Sequence, residues 1–318
     1  MMAAMAVRIT VLGRGAWGAT LTALWKGQGH TLRSWSRSDG HPPEASLLEA
    51  DLVVSAVAMA GVEALAQGLA PGWPSTLPLL SCSKGIDTQR LATASQLWGS
   101  SLPGRPLAVL SGPNLATELA QGLPAASVLA SHDADLCRWL QQHLSTDCLR
   151  LYRNDDPIGT EAAAALKNVM AVAAGICDGL ALGANAKASL LCRGLAEMGQ
   201  VVAGLGGQQG TLYGLAGLGD LLATANSHLS RNYRFGLLLA EGCDETMALQ
   251  RIGATVEGPR TARAALALAA QQGWHLPICD QVMGVVDGRV QPLAAVRALM
   301  ERELKAESAP EIAPGITP

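Results

Sequence analysis

The stretch VRITVLGRGAWGATLTALWKGQGH, residues 7–30, decides the fold. Its first six residues are the apolar and β-branched run of a strand, and a G-x-G-x-x-G turn at Gly13, Gly15 and Gly18 leads directly into a helix-compatible run. In that setting Gly13 permits the turn, Gly15 lets backbone approach a pyrophosphate, and Gly18 allows close strand–helix packing. The helix start faces the phosphates, because its first amides have no partner within the helix. A plain tight turn is the alternative reading, and the flanking strand and helix favour the dinucleotide site.

Working outward, short β-prone runs recur at VRITVL, HTLRSW, DLVVSAV, STLPLLSCS, LAVLSG, AASVLAS and CLRLY, separated by turns or helix-compatible segments. This predicts an α/β Rossmann-type domain over residues 6–152, with a doubly wound, mostly parallel sheet. After Asp155 and Asp156 the chain turns to long Ala/Leu-rich stretches at helical period, with Pro259 and Pro292 placed for first helical turns. An all-α domain is expected over 153–305. The tail 306–318 is rich in proline and poor in apolar residues, and disorder is expected there.

Composition narrows the function. The chain has 318 residues, enough for two domains, and is 49% hydrophobic but only 3% aromatic, so its cores must be built from Ala, Leu and Val. A net charge of −3, with 23 basic residues scattered along the chain, argues against nucleic acid as a partner. Seven cysteines without CxxC spacing point to neither zinc nor disulfide chemistry, so no metal and a cytoplasmic location are expected. The N-terminal run leads into the glycine turn instead of a cleavage site, and the apolar stretch 162–182 carries Lys167, Asn168 and Asp178. Membrane insertion is not expected.

A NAD-selective site usually carries an acid about 20 residues beyond the turn, but here the second strand ends in Arg33, Ser34, Trp35, Ser36 and Arg37. Arg37 suits a 2′-phosphate, or is an exposed loop arginine. NADPH is the expected coenzyme, with NADH possible.

Four clusters carry candidate chemistry. In EAAAALKNVMAVAAGICDGLALG, Lys167 lies on a helix apolar nearly all round, with no acid three or four residues away. It either snorkels to the surface or faces a ligand or a carboxylate from elsewhere. In GLAGLGDLLATANSHLSRNYRFG, Asp220 follows a Gly-Leu-Gly turn, while Ser230, Arg231 and Asn232 stand at a helix start. That start is a phosphate cradle or an ordinary Ser-capped helix. SCSKGIDT puts Lys84 in a turn at a strand end, as a ligand contact or a surface lysine. LSGPNLATELAQGLP puts Gly112 and Asn114 at another strand end, where Asn114 has the chemistry of a ligand contact or a helix cap.

Taken in order, these segments with VEGPRTA and the block ALKNVMAVAAGICDGLALGANAKASLLCRGLAEM resemble the bacterial NAD(P)-dependent glycerol-3-phosphate dehydrogenases, from about residue 7 to 300. The resemblance implies a helical domain like the C-terminal domain of 6-phosphogluconate dehydrogenase. It implies reversible reduction of dihydroxyacetone phosphate to sn-glycerol 3-phosphate by NAD(P)H, supplying glycerophospholipid synthesis. On it, Lys167 transfers the proton, with Lys84 and Asp220 assisting, and Lys84, Gly112, Asn114, Lys167, Asn168, Asp220, Ser230, Arg231 and Asn232 contact the substrate. Gly13, Gly15, Ala16, Trp17, Gly18, Arg37, Lys84, Ala116, Arg231 and Glu257 line the coenzyme. A homodimer is a further expectation. The sequence departs from the family in the short segment 38–50, in AVAMAGV after the third strand, and in Ala163 and Ala164 where paired glycines are common. Two rivals remain: a ketopantoate-type or 2-hydroxy acid reductase, which needs a carboxylate-binding arginine, and a non-catalytic NADPH sensor.

Overall fold

The computed structural model describes residues 6–40 and 42–301. Seven strands, β1 (Arg8–Leu12), β2 (Thr31–Trp35), β3 (Leu52–Ser55), β4 (Leu79–Ser81), β5 (Leu107–Ser111), β6 (Ala125–Ala130) and β7 (Leu149–Asn154), form one sheet in the order β2-β1-β3-β4-β5-β6-β7. Six fall within one of the β-prone runs, and β7 begins within CLRLY but continues to Asn154. All neighbours are parallel except β5 and β6. That reversal has a local cause. A parallel return needs a crossover that runs back along the sheet, usually on a full helix. The β5–β6 connection carries only a five-residue helix, α4 (Ala116–Ala120).

The central strands β3 and β4 are buried on both faces, whereas the edge strand β2 buries only Trp35. Helices α1 (Ala16–Gly27), α2 (Val62–Leu69), α3 (Ala94–Ser101) and α5 (Ala134–Leu144) complete this half. Two apolar clusters fill it. One contains Ile9, Val11, Trp25, Val54, Leu80 and Leu110, the other Leu12, Val53, Leu79, Trp73 and Trp98. Alternate residues of β1, β3 and β4 enter opposite clusters, as a doubly wound sheet requires.

The second half is helical: α6 (Pro157–Gly179), α7 (Gly183–Gly204), α8 (Gln209–Leu212), α9 (Asp220–Ala225), α10 (Arg231–Ala240), α11 (Glu245–Ile252), α12 (Gly258–Gln272), α13 (Pro277–Val286) and α14 (Pro292–Met300). Pro157, Pro259, Pro277 and Pro292 open helices, where their missing amide costs nothing. Asp156 caps α6 by accepting from the Gly159 amide at 2.8 Å. Nearly every residue of α6 is buried, including Ala163 and Ala164. It is long and apolar enough to cross a membrane, yet it forms the core of this domain. The segment before Asp220 is a π-helical turn, Leu215–Gly219, running directly into α9, where a glycine turn was expected. The tail 306–318 lies outside the described residues.

Candidate active site at the strand ends

The glycine turn caps the C-terminal end of β1. Gly13 has φ +106°, and a Cβ there would lie 2.7 Å from the Ala56 carbonyl oxygen; a Cβ on Gly18 would collide with the Gly13 carbonyl. Only glycine lets α1 pack so close to the strand ends. At Gly15, the N-cap of α1, a Cβ would meet open space, no side chain caps the helix, and no acid stands in its first turn. The first-turn amides around Ala16 and Trp17 thus present a positive helix end to an open surface, which fits a pyrophosphate.

Arg37 is exposed and opens a short 3-10 turn, Arg37–Asp39, beyond β2. An acid does stand near this strand end: Asp39, in that turn. Ala116 opens α4, and its carbonyl accepts from the Thr20 hydroxyl at 3.3 Å.

The chemistry-bearing residues converge on Asp220. Lys167, 6% exposed, donates from Nζ to Asp220 Oδ1 at 2.9 Å and to Thr224 Oγ1 at 2.6 Å. The Thr224 hydroxyl donates in turn to Asp220 Oδ1 at 3.1 Å. Lys84, just beyond β4, donates to Asp220 Oδ2 at 2.6 Å and to the Gly112 carbonyl, just beyond β5, at 3.0 Å. Two ammonium groups therefore share one carboxylate that is 2% exposed. Burial alone would raise the Asp220 carboxyl, but Lys167 and Lys84 outweigh it and hold it below the ordinary aspartate value. Lys167 moves down to about 8, because burial, aided by Lys84 and Arg231, outweighs the raising effect of Asp220. A lysine so placed exchanges a proton near neutral pH.

Asn114 does not cap α4, whose N-cap is Leu115. Its Oδ1 accepts from the Ser127 hydroxyl at 2.7 Å, and its Nδ2 is buried with no partner among the described residues, a donor left open beside Gly112. Ser230 caps α10, accepting from the Tyr233 amide at 3.2 Å. Arg231 is the exposed first residue of α10, and its charge acts on both Lys167 and Glu257. Asn232 is engaged at both ends: Nδ2 donates to Asn168 Oδ1 at 2.9 Å and Oδ1 accepts from the Gly258 amide at 2.9 Å. Asn168 and Asn232 thus bind α6, α10 and the start of α12 together, which leaves each only part of its hydrogen-bonding capacity for a ligand. Glu257 reaches across to the nucleotide half, accepting from the Met59 amide at 3.2 Å; burial pushes its carboxyl up.

Sequence reasoning passed over Thr224, Glu161 and Met59. Thr224 had a signal, being four residues beyond Asp220 and so on the same helical face. Met59 contributes only a backbone amide, for which no residue type could have pointed.

The comparisons with known proteins agree along the chain. The model for the C-terminus of NAD-dependent glycerol-3-phosphate dehydrogenase matches residues 156–297, and that for its N-terminus matches residues 41–137. A glycerol-3-phosphate dehydrogenase (NAD(P)+) of Synechococcus sp. strain RCC307 is 57% identical over 303 residues, 95% of this chain and 100% of that protein. One from Synechococcus sp. strain JA-2-3B'a(2-13) is 47% identical over 300 residues, 94% of this chain and 95% of its own. The crystal structure of glycerol-3-phosphate dehydrogenase from Coxiella burnetii superposes with a TM-score of 0.88 at 35% identity, covering 93% of this chain and 99% of that one. With both halves matched, and with the glycine turn and the two-lysine carboxylate cluster at the same edge of the sheet, the chain belongs to the NAD-dependent glycerol-3-phosphate dehydrogenase family.

Proposed function

We propose that the chain catalyses the reversible NAD(P)-dependent reduction of dihydroxyacetone phosphate to sn-glycerol 3-phosphate. The observation that carries this reading is the buried Lys167–Asp220–Lys84 cluster at the same edge of the sheet as the open first turn of α1. A bound nicotinamide supplies the hydride in reduction and takes it back in oxidation. The protein's part is positioning and proton transfer. Lys167 gives its proton to the alkoxide oxygen developing at C2, held on line by Asp220 and Thr224. Lys84 adds positive field at the same oxygen, and the unpartnered Asn114 amide offers a donor to a substrate hydroxyl. Arg231 and the first amides of α10 hold the phosphate, so binding energy from the remote end fixes the reacting carbon. In reverse, the neutral Lys167 amine takes the hydroxyl proton. We place the reaction in the cytoplasm, where the seven unpaired cysteines fit a reducing compartment, and its product serves glycerophospholipid synthesis.

The test is NADPH oxidation with dihydroxyacetone phosphate beside a panel of 2-keto acids. Turnover with the phosphorylated ketone alone is expected. Turnover with keto acids only would make the chain a 2-hydroxy acid reductase, and binding without turnover would make it a sensor. Lys167→Met should lower kcat by about 10²-fold or more while NADPH still binds. Wild-type kcat in that variant would remove Lys167 from proton transfer.

A further inference from the structure

Arg14 stands between Gly13 and Gly15 and turns toward the segment beyond β2. Its Nη2 donates to Ser36 Oγ at 3.1 Å, and its guanidinium pairs with Asp39. Asp39 is also held from within its own turn: Oδ2 accepts from the Ser36 amide at 2.9 Å and Oδ1 from the Ser36 hydroxyl at 3.4 Å. Its side chain is 12% exposed, against 46% for Arg14. Ser38 Oγ lies 2.6 Å from Ser36 Oγ, and the neighbouring Arg37 is exposed.

The turn beyond β2 is where a NAD-selective site presents a carboxylate to the adenosine ribose hydroxyls. Here that acid is 12% exposed and engaged by three protein donors, the Ser36 amide, the Ser36 hydroxyl and the Arg14 guanidinium from the glycine turn. A guanidinium has five donor hydrogens in a fork that matches phosphate, so the bonds of Arg14 to Ser36 and Asp39 leave others for a ligand. With Asp39 covered, the surface offers two guanidinium groups and the Ser38 hydroxyl, the chemistry of a phosphate seat.

We propose that Arg14 determines coenzyme specificity: it withdraws Asp39 from the ribose and, with Arg37 and Ser38, seats the 2′-phosphate of NADPH. This assignment rests on the dinucleotide site at the glycine turn. It predicts 2′-phosphate selectivity in a chain that nonetheless carries an acid beyond β2.

The experiment measures Kd for NADPH and NADH by fluorescence titration, with 2′,5′-ADP and 5′-AMP as fragment probes, on wild type, Arg14→Ala and Asp39→Asn. In Arg14→Ala, binding of NADPH and 2′,5′-ADP should weaken by about tenfold or more, while NADH and 5′-AMP change by less than about threefold. Retained NADH binding shows that the variant is folded. Asp39→Asn should bind NADPH at least as tightly as wild type, since the covered acid is not a ribose ligand. An unchanged NADPH to NADH ratio in Arg14→Ala overturns the assignment, as does a selective loss of NADH binding in Asp39→Asn. A wild-type protein that binds neither coenzyme overturns the dinucleotide site as well, which separates the two failures.

Discussion

A lysine ammonium with 6% exposure persists because two of its three donors are occupied, by Asp220 and Thr224, one of them a carboxylate. Its proton sets the pH dependence of both directions. Burial draws Lys167 from 10.5 down to about 8. Ketone reduction uses the protonated form, so kcat/KM for reduction should fall as pH rises through about 8. Oxidation uses the neutral amine and should rise through the same value. Asp220 raises Lys167, so Asp220→Asn should move both limbs to lower pH. Rate profiles in both directions check this, and limbs that stay in place in Asp220→Asn would assign the titration to another group. At this scale the sequence was legible where a residue was out of place. A charged residue on an apolar helix with no acid in reach demands a distant partner, and the structure supplies Asp220. Asp39 was passed over because it lies beyond the strand end, in a turn whose path no periodicity reveals. Asn232 was readable as a polar group at a helix start, but its engagement with Asn168 and Gly258 depends on three helices meeting.

Elements carry these residues to one place, and the contact between α6 and α10 is the tightest. A Cβ on Gly236 would collide with the Val172 carbonyl and lie 2.9 Å from the Ile176 amide nitrogen and 3.0 Å from Gly175 Cα. The helices thus touch backbone to backbone, with Lys167 on one and Ser230, Arg231 and Asn232 at the head of the other. A second clamp holds α10: the Tyr233 hydroxyl donates to Asp178 Oδ2 at 2.6 Å, and Lys187 donates to the same oxygen at 2.6 Å. Gly236→Ala should push α10 outward and destabilise the protein by about 1–3 kcal/mol, the usual cost of overpacking. It should also raise KM for dihydroxyacetone phosphate by more than it weakens NADPH binding, because the phosphate seat moves relative to Lys167 while the glycine turn, which carries most of the coenzyme contacts, does not. Thermal melts and steady-state kinetics read the two effects; unchanged Tm and KM together would mean that the crossing is not what places α10. The strands were readable one by one, since each apolar run bounded by turn residues became a strand. The family resemblance, read from ordered motifs, agrees with the family found. The π-helical turn before Asp220 was not readable, because Gly217 packs against the Leu212 backbone in a way that glycine content alone does not specify.

The two halves are joined at the ends of β3 and β4 by long-range polar contacts. Lys84 meets Asp220, Met59 meets Glu257, and Glu161 of α6 is inserted beneath β4 and the start of α3. Such pairs are far apart in sequence, so only the assembled molecule shows them. Glu161, 1% exposed, accepts from the Ser95 amide at 2.9 and 3.1 Å and from the Ser81 hydroxyl at 3.2 Å, which places it between the first turn of α3 and the strand leading to Lys84. Burial pushes its carboxyl above the ordinary glutamate value, against the lowering effect of those donors. A group that holds its proton more tightly when folded contributes stability that is full below its unfolded value of about 4.3 and is lost as pH rises through the folded value. Wild-type stability should therefore decline across that window. Glu161→Gln keeps a carbonyl acceptor for Ser95 and Ser81 without the charge, so its melting temperature should vary less with pH there and at neutral pH should match or exceed that of wild type. Glu161→Ala strands a buried amide and a buried hydroxyl, at about 1–3 kcal/mol each, and should melt lower at every pH. Equal losses in both variants at neutral pH would show that the carboxylate charge itself, and not the hydrogen-bonded acceptor, holds α6 against the sheet.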